Sequence, residues 1–285
     1  EICPGMVYRS IDAGKTWTDT GLVAPEGGGT QLQTVGDYIY ALVGPSAYFY
    51  VSPDKGKTWR GPIWTPLRCI GFEVDPKDGK QAFCATDFNK DHTSDILYSK
   101  DEGTTWMKIA TLDIFAQKIY IPEEGSHTLY AFGRGLAVSG SEGQTWETKQ
   151  SGLGASINEL VFDATDSRRM YIHETACLFN YSNIFSSIDG GATINRITAE
   201  METDACGLII GYDGILYRFG WWDIFFSRDQ GVNWTRMGYP LGENFITALG
   251  ANPKVDGFLL ASSYPDAAIY RSLDAGINWS KLSNH

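Results

Sequence analysis

Basic residues are scarce in this chain, with 23 Lys and Arg against 34 Asp and Glu over 285 residues, a net charge of -11. Nucleic acid and anionic membrane surfaces are therefore poor partners, because both select clustered positive charge. Apolar runs are short, and none approaches the roughly 18 residues that a membrane-spanning helix needs, so no membrane insertion is expected. No segment carries a convincing helical period. Only four histidines occur (His92, His127, His173 and His285), no Ser-His-Asp or Cys-His set can be identified in the sequence, and a satisfied structural role is expected for each. The five cysteines form no CxxC spacing, which argues against a zinc site. No signal peptide precedes Glu1, and the numbering is expected to start at a mature or trimmed end.

What the chain has in quantity is glycine and rings: 32 Gly, 9 Trp, 15 Tyr and 14 Phe. That composition tilts toward strands joined by tight turns. An octet explains it. Ser10-Ile-Asp12-Ala-Gly14-Lys-Thr16-Trp17 returns as Ser52-Pro-Asp54-Lys-Gly56-Lys-Thr58-Trp59 and as Ser99-Lys-Asp101-Glu-Gly103-Thr-Thr105-Trp106. Weaker copies begin at Ser139, with Ser141 where Asp is expected, at Ser187, with Ile194 where Trp is expected, and at Ser227 and Ser272, with Asn233 and Asn278 in place of Thr. Successive starts lie 42, 47, 40, 48, 40 and 45 residues apart, the length of one four-stranded propeller blade. Within the octet, Asp and Ser accept backbone N–H hydrogen bonds, Gly supplies positive φ, and Trp returns an apolar anchor to the sheet.

Between octets the chain reads as a second hairpin, for example Cys69–Val74, a turn at 75–80, then 81–86. Four strands per repeat follow, labelled A and B between octets and C and D around each one. The predicted fold is an all-β propeller of four-stranded antiparallel blades in one domain, residues 1–285. There are six complete sets, and the hairpin near residues 5–19 has no A–B pair before it. Seven blades with one incomplete is the preferred reading, completed by a missing N-terminal segment or a partner chain; closure around six blades with that hairpin outside is the alternative.

The octets resemble the Asp-box, or BNR repeat, of the sialidase-like propeller superfamily, and their regularity is closest in character to sortilin-type receptor propellers. The resemblance implies that Asp12, Asp54, Asp101, Asp189, Asp229 and Asp274 are structural rather than catalytic. It does not choose an activity, since sialidases, other glycosidases, sorting receptors, a photosystem assembly factor and lectin-like proteins share the fold. The early Phe/Tyr-Arg-Ile-Pro element of sialidases is absent, because Tyr8-Arg9 runs directly into Ser10; Arg68, Arg134 and Arg218 come from segments that could supply an arginine cluster.

Strand alternation puts the A–B and octet turns at one end and the B–C and D–A connections at the other, which is the candidate binding face. Aromatic residues are dense there. Trp64, Arg134, Tyr181, Trp221, Trp222 and Asp223 are the expected ligand contacts, with Tyr48, Tyr264, Glu174 and Asp266 nearby; a ring can stack on a sugar while an acid accepts its hydroxyls. On a regular strand Trp221 and Trp222 would point to opposite faces. The preferred function is non-catalytic recognition of a glycan or extended peptide at this face or the central channel. The alternative is a glycoside hydrolase or polysaccharide lyase, with Glu174 and Asp223 as acid and base. No cofactor is required, although Asp87, Asn89, Asp91 and Asp95 resemble the start of a calcium loop; His92 and Tyr98 depart from that pattern. Disulfides Cys69–Cys84 and Cys177–Cys206 are expected, leaving Cys3 over. Together with sequons at Asn180, Asn233 and Asn278 they point to a secreted, lumenal or extracellular protein.

Overall fold

The structure is a computed structural model that describes residues 6–12, 16–23, 30–44, 46–87, 93–122, 128–149, 156–176, 181–197, 206–212, 214–238, 240–252 and 254–284. The described residues form 25 strands, and none of them is helical. No helix among them is long and apolar enough to cross a membrane. The chain divides into two compact units, Glu1–Gln150 and Ser151–His285.

The first unit begins with a two-stranded sheet, β1 (Met6–Arg9) and β2 (Thr18–Val23). Next comes an antiparallel four-stranded sheet of β3 (Thr30–Val35), β4 (Tyr38–Val43), β5 (Tyr48–Ser52) and β6 (Arg60–Ile63). Another follows, of β7 (Cys69–Val74), β8 (Ala82–Thr86), β9 (Ser94–Ser99) and β10 (Met107–Leu112). The last sheet of this unit contains β11 (Phe115–Tyr120), β12 (Leu129–Ser139) and β13 (Glu147–Lys149). Here one long strand serves two blade positions, pairing with β11 through Tyr130–Arg134 and with β13 through Leu136–Val138.

The second unit has three four-stranded sheets: β14 (Ile157–Phe162), β15 (Met170–Ala176), β16 (Tyr181–Ser187) and β17 (Asn195–Arg196); β18 (Gly207–Ile210), β19 (Leu216–Phe219), β20 (Ile224–Ser227) and β21 (Thr235–Arg236); and β22 (Phe245–Ala251), β23 (Leu259–Tyr264), β24 (Ala268–Ser272) and β25 (Ser280–Asn284). In each, strands pair in sequence order. These six sets are the blades of a β-propeller, and the β1–β2 hairpin is the expected extra sheet.

The octet turns explain why the strands start and stop where they do. Asp54 Oδ1 accepts the N–H groups of Lys57 and Thr58 at 3.0 and 2.8 Å and the Ser52 hydroxyl at 2.9 Å, while Oδ2 accepts the Thr58 hydroxyl at 2.8 Å. Ser52 Oγ accepts the Gly56 N–H at 2.7 Å. The Thr58 N–H, followed by its hydroxyl, holds the Asp54 carboxyl at a pKa of about 2. Asp12, Asp101, Asp189, Asp229 and Asp274 repeat the contact, each accepting the N–H four residues on at 2.8 Å. At the variant copy Ser141 Oγ takes over, accepting the Thr145 N–H at 2.8 Å. Asn233 and Asn278 donate Nδ2 to Asp229 and Asp274 at 2.6 and 2.7 Å, replacing the threonine hydroxyl. Two of the three sequons thus coincide with residues that this turn uses. Asp54→Ala should lower the melting temperature by about 2–4 °C through the lost turn hydrogen bonds. Asp54→Ser, built like the Ser141 turn, should recover part of that loss in the same thermal scan.

Packing is between neighbouring sheets. In the first unit Tyr40, Phe49, Phe72 and Leu97 are buried in one cluster, with Phe49 edge-on to Phe72 and Trp106 at 5.2 and 5.3 Å. A second cluster holds Phe83, Ile96, Ile114 and Leu129. In the second unit Tyr171, Ile184, Leu208 and Leu216 form one cluster, and Tyr217, Ile224, Ile246 and Leu259 another.

Side chains also cover the first strand of a blade, which is a sheet edge with unused backbone groups. The Gln31 amide donates to the Phe72 carbonyl at 2.6 Å and accepts the Phe72 N–H at 3.1 Å; Gln33 does the same at Val74, at 3.1 and 2.7 Å. Between these two caps, burial pushes the Glu73 carboxyl up to about 8, opposed by the Ile121 N–H and the Gln33 side chain. The ordinary glutamate value is 4.5, so between about 4.5 and 8 the folded chain holds a proton that the unfolded chain has released, and stability must fall as pH rises through that window. Glu73→Gln should remove this decline. Melting curves recorded from pH 4.5 to 8.5 should therefore diverge, with the variant the more stable at the alkaline end; parallel curves would contradict the assignment.

Candidate functional site

The connection 220–223 between β19 and β20 is a tight turn, closed by the Gly220 N–H on the Asp223 carbonyl at 2.9 Å. The Trp221 carbonyl accepts the Ile246 N–H at 2.7 Å, which fixes the turn against the start of β22. Trp221 and Trp222 therefore lie outside any strand, and the alternation expected for a regular strand does not apply. Both rings meet the same neighbour, Phe245, with centroids at 5.8 and 4.1 Å. Tyr264, at the end of β23, stacks on the same Phe245 ring at 6.4 Å. Trp221, Trp222 and Tyr264 remain 41%, 39% and 61% exposed. Four rings thus form a solvent-facing apolar row at the B–C and D–A end of the second unit.

The acids beside this row are already engaged. Both oxygens of Asp223 accept Arg236 Nη2 at 2.9 Å. Asp266 accepts the Ser263 hydroxyl, with Lys281 Nζ and the Tyr270 hydroxyl each at 2.9 Å. These partners, the Ser263 hydroxyl foremost, hold its carboxyl at about 2. Glu174 is buried within β15, where Asn183 Nδ2 reaches it at 3.4 Å. Asn183 in turn accepts Arg196 Nη2 at 2.5 Å. Arg218 is buried on β19 with its guanidinium 5.1 Å from the centre of the Phe225 ring, and burial lowers its pKa to about 10. It is therefore not a solvent-facing clamp for a substrate carboxylate.

A hydrogen-bonded acid, histidine and serine do exist, across three strands. Glu159 Oε2 lies 2.8 Å from His173 Nδ1, and His173 Nε2 lies 3.0 Å from Ser182 Oγ. Sequence inspection missed the set because β14, β15 and β16 bring its members together only through strand register. His173 and Ser182 are buried, and Glu159 also accepts the Leu208 N–H at 2.7 Å. With its serine shut away from solvent, the row braces neighbouring sheets and does not present a nucleophile.

Among the other expected contacts, Trp64 is 69% exposed between β6 and β7, edge-on to Tyr48 at 5.2 Å, and Arg134 is exposed on β12. Both belong to the first unit. Tyr181 opens β16, and its side chain lies outside the described residues. Asn89 and Asp91 of the calcium-like loop lie outside them too; Asp87 pairs with Arg68 at 2.5 Å, and Asp95 takes Lys108 Nζ at 2.8 Å and the Thr111 hydroxyl at 2.7 Å. Cys69 and Cys84 form the expected disulfide, with Cα atoms 5.8 Å apart. Cys3, Asn180, His92, His127, His285 and Cys177 lie outside the described residues, and so does the expected link from Cys177 to Cys206.

No family model matches this chain, and no curated protein matches it. Solved structures do. YCF48 bound to a D1 peptide is 16% identical with a TM-score of 0.64, over 86% of this chain and 78% of that one. A GH74 xyloglucanase from Xanthomonas campestris is 17% identical with a TM-score of 0.67, over 89% of this chain, which spans 47% of that enzyme. An ancestral GH74 enzyme is 16% identical with a TM-score of 0.70, over 90% of this chain and 39% of its own length. At these identities the likeness is one of fold: the chain is similar to β-propellers, of which one carries a peptide and others are named as GH74 enzymes.

Proposed function

We propose that this chain is a non-catalytic recognition propeller that binds a glycan or an extended peptide along the ring row Trp221, Trp222, Phe245 and Tyr264. One observation carries the reading: Trp221, Trp222 and Tyr264 are exposed, while the carboxylates next to them already accept hydrogen bonds from the chain's own side chains. Flat exposed rings supply stacking area at low entropic cost. A glycosidase needs instead a carboxylic acid kept protonated beside a second carboxylate. Asp266 is held at about 2, Asp223 is clamped by Arg236, and Glu174 is buried. The likeness to GH74 enzymes favours the hydrolase or lyase as the second reading, with Asp223 as its most accessible acid.

The rest of the proposal follows the same order of support. The octet hydrogen bonds fit an Asp-box propeller of sortilin-like character. The Cys69–Cys84 disulfide suits an oxidising, secreted or lumenal setting. Trp64, Arg134 and Tyr181 are further ligand contacts, calcium would sit at 87–95, and a strand pair from another segment or chain would extend β1–β2. A glycan array and a peptide library probed with the whole chain test the function. Saturable binding that competes among hits of one class is expected. An absence of hits in both libraries, together with cleavage of a polysaccharide panel, would overturn recognition in favour of the enzyme.

A further inference from the structure

The connection between the second and third strands of one blade stands beside the first strand of the next, and a blade of the second unit and a blade of the first use that place differently. In the second unit it is filled by the rings of Trp221 and Trp222 against Phe245. The matching connection in the first unit, between β4 and β5, is Gly44-Pro45-Ser46-Ala47, and the next blade begins at Cys69 in place of a phenylalanine. Gly44 and Ala47 of that connection, together with Cys69, border a cavity of about 310 Å³. Its apolar wall comes from Leu42, Ala47 and Ile70, and its polar wall from Gln31 and Arg68.

The walls are fixed before any ligand arrives. Cys69 is tied to Cys84, the Ala47 N–H closes the turn on the Gly44 carbonyl at 3.1 Å, and the Gln31 amide is pinned in both directions by Phe72. Among the described residues, Arg68 is the one charged group in the lining. Its side chain is half exposed and pairs with Asp87, itself partly exposed. An exposed ion pair of this kind is worth little and exchanges readily for another carboxylate.

We propose that this cavity is a small-molecule site for a monocarboxylate with a compact apolar body, a single ring or a branched alkyl group, whose carboxylate takes Arg68 from Asp87. The chemistry follows from the walls: a planar guanidinium matches a carboxylate, and the remaining volume, at the lower end of ligand pockets, has Leu42, Ala47 and Ile70 as its apolar side. The site is independent of the ring row.

Calorimetry and methyl NMR on the whole chain, with phenylacetate and 4-methylpentanoate as probes and phenylacetamide as the neutral comparison, test it. Saturable binding of both acids is expected, with shifts at the Leu42 and Ile70 methyl groups and at least about tenfold weaker binding of the amide. Arg68→Gln should weaken the acids by about the same factor, Asp87→Asn should tighten them, and Ile70→Trp should block them by filling the space. Trp222→Ala should leave acid binding unchanged, which separates this site from the proposed recognition surface. Equal binding of acid and amide, insensitivity to Arg68→Gln, or no saturation at millimolar concentration would overturn the proposal. Arg68 and Asp87 are surface side chains, so these two variants remain informative even where Ile70→Trp fails to fold.

Discussion

Gly103→Ala is expected to destabilise the protein by about 2–5 kcal/mol, the sum of a left-handed backbone penalty and an overpacked core. Gly103 has φ +76°, and a Cβ there would lie 2.2 Å from Cε1 of Phe49. Phe49 cannot retreat, because it is fully buried between Phe72 and Trp106. The Gly103 N–H also donates to Ser99 Oγ at 2.9 Å, so a shifted backbone would break the octet turn. Gly214 is the control: its φ is +75°, and nothing lies within 4 Å of its would-be Cβ. Gly214→Ala should cost only about 1–2 kcal/mol. Chemical denaturation of the two variants isolates the packing term; equal losses would mean that octet glycines serve the turn alone.

The second large effect concerns binding. Trp222→Ala should weaken the bound glycan or peptide by about 1–3 kcal/mol, the range for removing an aromatic contact from a recognition surface. Its ring lies closest to Phe245, at 4.1 Å, and the residue sits in a turn, so the strands should fold without it. Trp222→Tyr should restore part of the affinity, because a smaller ring still stacks. Asp54→Ala, at an octet turn, should leave affinity unchanged once the protein is folded. Titration calorimetry against one array hit reads all three variants, and an unaltered affinity in Trp222→Ala would remove the ring row from the site.

What could be read from the sequence was whatever a local period encodes. The octet spacing predicts the blades, and the turn after Val74 predicts β7 and β8, hence Cys69 and Cys84 on the two paired strands of one hairpin. Side-chain roles that depend on register were hidden. Glu159, His173 and Ser182 are spread over 24 positions of the sequence, and only three aligned strands bring them together. Glu174 reads as an exposed acid next to aromatic residues, yet it is buried, with Asn183 Nδ2 on its carboxylate and Arg196 on Asn183 in turn. Trp221 and Trp222 read as strand residues because only Gly220 separates them from the apolar run that ends at Phe219. The Gly220–Asp223 turn sends both rings to Phe245, a partner 23 residues beyond Trp222 that no local pattern names.

The sharpest test of recognition without turnover is a mass-spectrometric time course of each bound glycan or peptide incubated with the intact chain and with Asp223→Asn. The ligand should stay chemically unchanged with both proteins, with Asp223→Asn altering affinity alone. Product that accumulates with the intact chain, and that disappears in Asp223→Asn while binding persists, would contradict this account and make the chain a hydrolase or lyase.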